Sequence, residues 1–166
     1  MNERVEMNIF AKMILLGGLL SFASLAFGHG NETHAVEYDP VENEFGSYES
    51  GMKASRIIKV DMSDQMRFTP DLITVKVGEV IRFEHTNSGQ LMHEFVLGTQ
   101  KILDEHAELM KQFPNMEHDE PYMAHVAPGK TGVIMWKFTK AGTFGFGCLI
   151  PGHYDAGMKG QVVVEM

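Results

Sequence analysis

Near its end the chain sets its only cysteine, a histidine and a methionine at equal intervals, in the run Cys148-Leu-Ile-Pro-Gly-His153-Tyr-Asp-Ala-Gly-Met158. Thiolate, imidazole and thioether are together the ligands of a soft, redox-active copper ion. A trigonal set of two histidines and one cysteine, with a long axial methionine, is the blue-copper arrangement. That arrangement needs a second histidine from another part of the chain. The candidate is His93, in the apolar run Leu91-Met-His-Glu-Phe-Val-Leu97. A buried structural cysteine followed by a Pro-Gly turn is the competing account. It leaves three features unexplained: the spaced Met158, the Gly- and Pro-bearing loop, and the apolar strand that leads into Cys148. Two histidines and a cysteine could also hold zinc, but the methionine would then have no role.

The order of elements sets these residues in a frame. Arg56 to Met62 has strand composition. Residues 66 to 70 read as a short extended piece in which Pro70 suits an edge or a strand start. Ile73, Val75 and Val77 alternate with polar neighbours, and Ile81 and Phe83 resume that alternation after the Gly78-Glu79 turn. Asn87-Ser-Gly89 is a turn, and Leu91 to Leu97 is the strand that carries His93. Residues 99 to 113 switch period: Ile102, His106, Leu109 and Phe113 form one helical stripe, Thr99 caps its start and Pro114 stops it. Residues 115 to 124 read as a loop. Ile134, Trp136 and Phe138 share one strand face. Phe144, Phe146 and Cys148 share another, which points the thiol inward. Gln161 to Glu165 closes the chain. Short strands with frequent turns predict an all-β Greek-key sandwich with one short helical insertion.

The Cys-x4-His-x4-Met loop with a strand-borne upstream histidine resembles the cupredoxin family. Its spacing is similar to the rusticyanin and auracyanin ligand loops. The stretches Met92-His-Glu-Phe-Val-Leu-Gly98 and Cys148-Leu-Ile-Pro-Gly-His153 resemble periplasmic cupredoxins of bacterial copper tolerance. The likeness covers residues 55 to 166, which would form the cupredoxin domain. It implies one copper ion, with His93, Cys148 and His153 as strong ligands and Met158 as the weak axial one. It implies that His153 reaches the surface as the electron port, inside an apolar collar of Leu149, Ile150 and Pro151. Many blue-copper proteins carry Asn or Ser directly after the first histidine, tying the two ligand loops together. Here that position is Glu94, which either acts on the thiolate through hydrogen bonds or faces solvent.

The beginning of the chain points to export. Lys12 precedes an apolar stretch from Met13 to Phe27, and Ala26 and Gly28 are the small residues of a cleavage site, so residues 1–28 read as a signal peptide. Translation from Met7 would remove the unfavourable Glu3 and Glu6. The stretch is about 15 residues, short of the roughly 20 that a membrane span needs. No cysteine follows it closely enough to take a lipid. Residues 29–54 are acidic and aperiodic, and read as a flexible arm. Cleavage after Gly28 would expose His29, whose amine and imidazole, with His34 nearby, form a possible weaker copper site; incidental tail histidines are the plainer reading. His106, His118 and His125, with Met110, Met116 and Met123, are in the same position: soft ligands for a secondary site, or core and surface residues. His85 reads as a packed histidine.

The formal charge of −8 disfavours nucleic acid. A partner, whether a redox protein or a copper-handling protein, would present basic surface. No His-x-His pair is present, and there is only one cysteine. Multicopper oxidases, copper nitrite reductases and dinuclear CuA domains need such additional ligands. The expectation is therefore a periplasmic one-electron carrier, not an enzyme, without membrane insertion after signal removal and serving copper tolerance. The alternative is a copper buffer or chaperone with no dedicated redox partner.

Overall fold

The computed structural model describes residues 38–114, 116 and 118–166. The signal-peptide reading, His29 and His34 lie outside them. The strands are β1 (Val41–Asn43), β2 (Gly46–Tyr48), β3 (Arg56–Ser63), β4 (Arg67–Thr69), β5 (Leu72–Lys76), β6 (Val80–Asn87) and β7 (His93–Gly98). Helix α1 (Gln100–Gln112) follows, then β8 (Met123–Val126), β9 (Thr131–Lys137), β10 (Gly142–Gly147) and β11 (Lys159–Glu165). Two sheets form, in the orders β1-β2-β9-β6-β3-β4 and β5-β11-β10-β7-β8. β3 pairs parallel with β6 and β11 pairs parallel with β5; the remaining pairs are antiparallel. The all-β sandwich with one short helix is the expected class.

Alternation drives the packing. In β9, Ile134 and Trp136 are buried, and Phe138 follows on the same side. Phe95 of β7 stacks on Phe146 of β10 at 4.9 Å, and Phe68 meets both rings edge-on. β7 is buried along its whole length, because each of its faces is covered. His93, Phe95 and Leu97 face the sandwich core. Glu94 and Val96 face outward, where α1 lays Leu103, Ala107 and Met110 over the sheet.

Three expectations change. Residues 41–48 are not a loose arm. They form a hairpin whose strand β2 pairs with β9. The anchor is Phe45: its ring stacks on Trp136 at 5.1 Å, and its carbonyl accepts from Trp136 Nε1 at 3.2 Å. Two strands of three residues are too short to show a period, so only the burial of Phe45 reveals them. Gly46 sits at φ 146°, and a Cβ there would collide with the Lys137 carbonyl.

The helix is where the period change puts it, with Thr99 accepting from the Ile102 amide at 3.3 Å. Its buried stripe is Leu103, Ala107 and Met110, however, and Leu109 and Phe113 are exposed. The two stripes have the same spacing, one residue apart, and only the position of the sheet chooses between them. Finally, residues 123 and 124, expected at the end of a loop, open strand β8 instead. They extend the second sheet beside β7.

Candidate metal centre

His93 opens β7, and Cys148 follows the last residue of β10, which pairs with β7. Both side chains therefore enter the same end of the core, and both are fully buried. The turn from Ile150 to Gly157 brings His153 back. The His153 amide donates to the Ile150 carbonyl, and the Met158 amide donates to the His153 carbonyl, each at 3.0 Å. The Cys148 amide then donates to the Met158 carbonyl, also at 3.0 Å, which pins both ends of the loop together. Gly152 and Gly157 hold the left-handed conformations this path requires, at φ 90° and 97°. The side chain missing at Gly157 would press on Arg67, not on an ion. Arg67 instead donates to the Ala156 carbonyl at 3.0 Å and holds the loop to β4.

One ligand atom from each of His93, Cys148 and His153 lies within 4.8 Å of the other two. Cys148 Sγ is 3.3 Å from His153 Nδ1. His93 turns its Nε2 to Asp64 Oδ1 at 3.1 Å, which leaves a buried Nδ1 with no hydrogen-bond partner. A carboxylate behind a ligating histidine fixes its tautomer and ring orientation. Asp64 also accepts from the amides of Gln90 and Leu91, at 2.7 and 3.2 Å. These hydrogen bonds, led by the one from Gln90, hold its carboxyl below the usual range. Asn87 completes the bracket, donating to the Leu91 and Val126 carbonyls at 2.7 and 2.8 Å. Neither Asp64 nor Asn87 was identifiable from sequence, since nothing local marks a turn residue as the partner of a histidine 29 positions on.

The donor set fits a thiophilic cation. Burial, with the nearby Glu94 carboxylate, pushes the Cys148 thiol up to about 12, against which the Glu94 and Ile150 amides work in part. Only a bound cation makes such a thiol a thiolate at neutral pH. His153 is half-buried, and its pKa is lowered by burial first and then by His93, which leaves a neutral imidazole free to ligate. Met158 is fully buried in the same core cluster as Cys148.

Glu94 does not face solvent. It is 1% exposed, its amide donates to Cys148 Sγ at 3.3 Å, and its carboxylate accepts from the Leu149 amide at 3.1 Å. The tie between the two ligand loops is thus kept, through a charged side chain. His125 Nε2 lies 2.9 Å from the other Glu94 oxygen. Leu149 is buried under α1 and takes no part in the collar; Pro151, two positions before His153, is exposed, as are Leu91 and Met92 just before His93 in the chain.

A two-sheet sandwich with two histidines and one cysteine gathered at the end of its core defines a cupredoxin-type copper protein. The chain belongs to the plastocyanin/azurin family of copper-binding proteins, whose model matches residues 54–165. The chain is 46% identical over 143 residues to the copper-resistant cuproprotein CopI of Rubrivivax gelatinosus, covering 86% of this chain and 87% of that one. It is 37% identical over 150 residues to the protein of the same name in Pseudomonas aeruginosa, covering 73% and 82% respectively. Among solved structures, auracyanin from Roseiflexus castenholzii superposes with a TM-score of 0.59 at 22% identity. That match covers 69% of this chain and all of auracyanin, and it supports the fold.

Proposed function

We propose that this chain is an exported periplasmic protein that carries single electrons through one type 1 copper ion and serves copper tolerance. His93, Cys148 and His153 would hold the ion as strong ligands and Met158 as a weak one. The observation that carries the reading is the convergence of three ligand atoms within 4.8 Å, with His93 Nδ1 buried and unpaired. Copper held there would supply one-electron chemistry between Cu(I) and Cu(II). The chain's own contribution is rigidity. Asp64 fixes the His93 ring, the Glu94 amide and carboxylate tie the two ligand loops together, and the Cys148–Met158 backbone pair closes the third side. Ligands that cannot move keep the two oxidation states close in geometry. The half-buried His153 is the route for the electron.

Copper tolerance rests on the names of the relatives and on the soft donor set. Export rests on residues 1–28, and among the described residues no helix is long and apolar enough to cross a membrane. The formal charge of −8 favours a partner with a basic surface; raising ionic strength should then slow electron exchange with it. The reading as a carrier and not an enzyme is supported by relatives named cuproproteins.

Adding Cu(II) to the purified mature protein should produce an intense visible charge-transfer band that is absent in Cys148→Ala. A colourless wild-type complex refutes the thiolate site. Deleting the gene should then sensitise cells to excess copper. Unchanged copper sensitivity together with a slowed respiratory step would separate a dedicated electron carrier from a tolerance factor.

A further inference from the structure

The outer face of β7 carries a second group of soft ligands that the type 1 centre does not use. His106 and Met110 are one helical turn apart on α1, so they lie on the same face. Met116 and His118 lie just after the helix. The rings of His106 and His118 are 4.8 Å apart. His106 Nε2 and His118 Nδ1 are both buried, and neither has a hydrogen-bond partner among the described residues. A buried imidazole nitrogen without a partner is costly; two of them side by side imply something that satisfies both. Beside them is a cavity of about 540 Å³, lined by Met110, Met116 and His118.

We propose that His106, Met110, Met116 and His118 form a second copper site, selective for Cu(I). Two imidazoles and two thioethers are neutral, soft donors that suit a monovalent d¹⁰ ion and suit a hard cation such as Mg(II) poorly. Burial holds the His106 pKa below its ordinary value, and His118 and His125 push the same way while Glu94 opposes them. Nearby carboxylates compensate the charge of the ion: Glu94 is buried beside His125, and Asp119 lies 3.8 Å from His125 Nδ1. Glu94 also connects the two sites. Its backbone amide reaches Cys148 Sγ while its side chain faces the histidine group, so the type 1 centre and the second site occupy opposite faces of one strand. The second site gives the protein a place to take up cuprous ions separately from the electron-carrying centre.

The test is anaerobic titration of the full chain with Cu(I) against a coloured cuprous chelator, comparing the parent with the double variant Met116→Leu/His118→Ala. The variant should bind one Cu(I) fewer per chain and keep its visible band with Cu(II), which shows that the fold and the type 1 centre are intact. Equal stoichiometry and affinity in the two proteins would overturn the proposal. Should the double variant lose the Cu(II) band, Met116→Leu alone decides: leucine keeps an apolar side chain of similar size, so the weaker equivalent should loosen by about tenfold or more, and unchanged affinity rejects the site. In Cys148→Ala the band disappears, whereas the Cu(I) equivalent that depends on Met116 and His118 persists, so each site can fail without the other.

Discussion

Asp64 decides which nitrogen of His93 is available. By accepting a hydrogen bond from Nε2–H it leaves Nδ1 free for a metal and fixes the orientation of the ring. Asp64→Ala should therefore weaken copper binding by about 10–100-fold, measured by competition with a chelator of known affinity; an unchanged affinity removes Asp64 from the site. Glu94 acts differently, through charge. A carboxylate beside the thiolate favours Cu(II) over Cu(I). Glu94→Gln keeps an acceptor for the Leu149 amide but loses the charge, and the reduction potential should rise by on the order of tens of millivolts. A potentiometric titration followed in the visible band checks the sign, and a fall in potential contradicts the argument. His93, Cys148 and His153, which the structure gathers, were legible because residue type and local pattern mark the loop and the strand that carry them. These two supporting residues were not. Glu94 was visible as a departure, but which way it pointed was not.

At the scale of elements, strand alternation identified most of the sandwich, and the change of period identified α1. The misreadings have one cause: where a pattern is short or degenerate, the neighbouring element chooses. On α1 two stripes have equal spacing, and the outer face of β7 selects Leu103, Ala107 and Met110. In the β1–β2 hairpin there is no pattern to read, and a single ring does the anchoring. Phe45→Ala should cost about 3–5 kcal/mol, since the ring is 1% exposed and packs on Trp136, Tyr122 and Phe144. Denaturant unfolding measures that loss. The Cu(II) band should be unaltered, because the hairpin lies at the edge of the first sheet and the ligands belong to the second; a lost band would show that the hairpin supports the metal centre.

For the whole molecule, the buried His85 couples folding to pH. Its ring is fully buried, 3.9 Å from the Phe95 ring and stacked also on Phe83, and burial lowers its pKa to about 3. The unfolded chain takes up a proton at about pH 6.5 that the folded chain refuses. This contribution to stability is complete above that pH. It is lost as pH falls toward about 3, at up to about 1.4 kcal/mol per pH unit. His85→Leu should flatten the acid side of the stability curve by close to one proton. Urea midpoints of the metal-free protein between about pH 7 and pH 4 give the slope, and identical slopes for variant and parent would refute the assignment.

By itself the sequence singled out His93, Cys148 and His153, which the structure gathers, together with the loop and the strand that carry them and the all-β class. All of these follow from spacing, period and side-chain chemistry within a few residues. Only the tertiary structure decided that Asp64 orients His93, that Glu94 turns inward to bridge Cys148 and Leu149, which helix face is buried, and that His106 and His118 stand side by side. The Glu94 contacts span 54 and 55 positions of the chain. At such separations a contact exists because two sheets and a helix close on one core, and no local pattern encodes where that closure brings two side chains together.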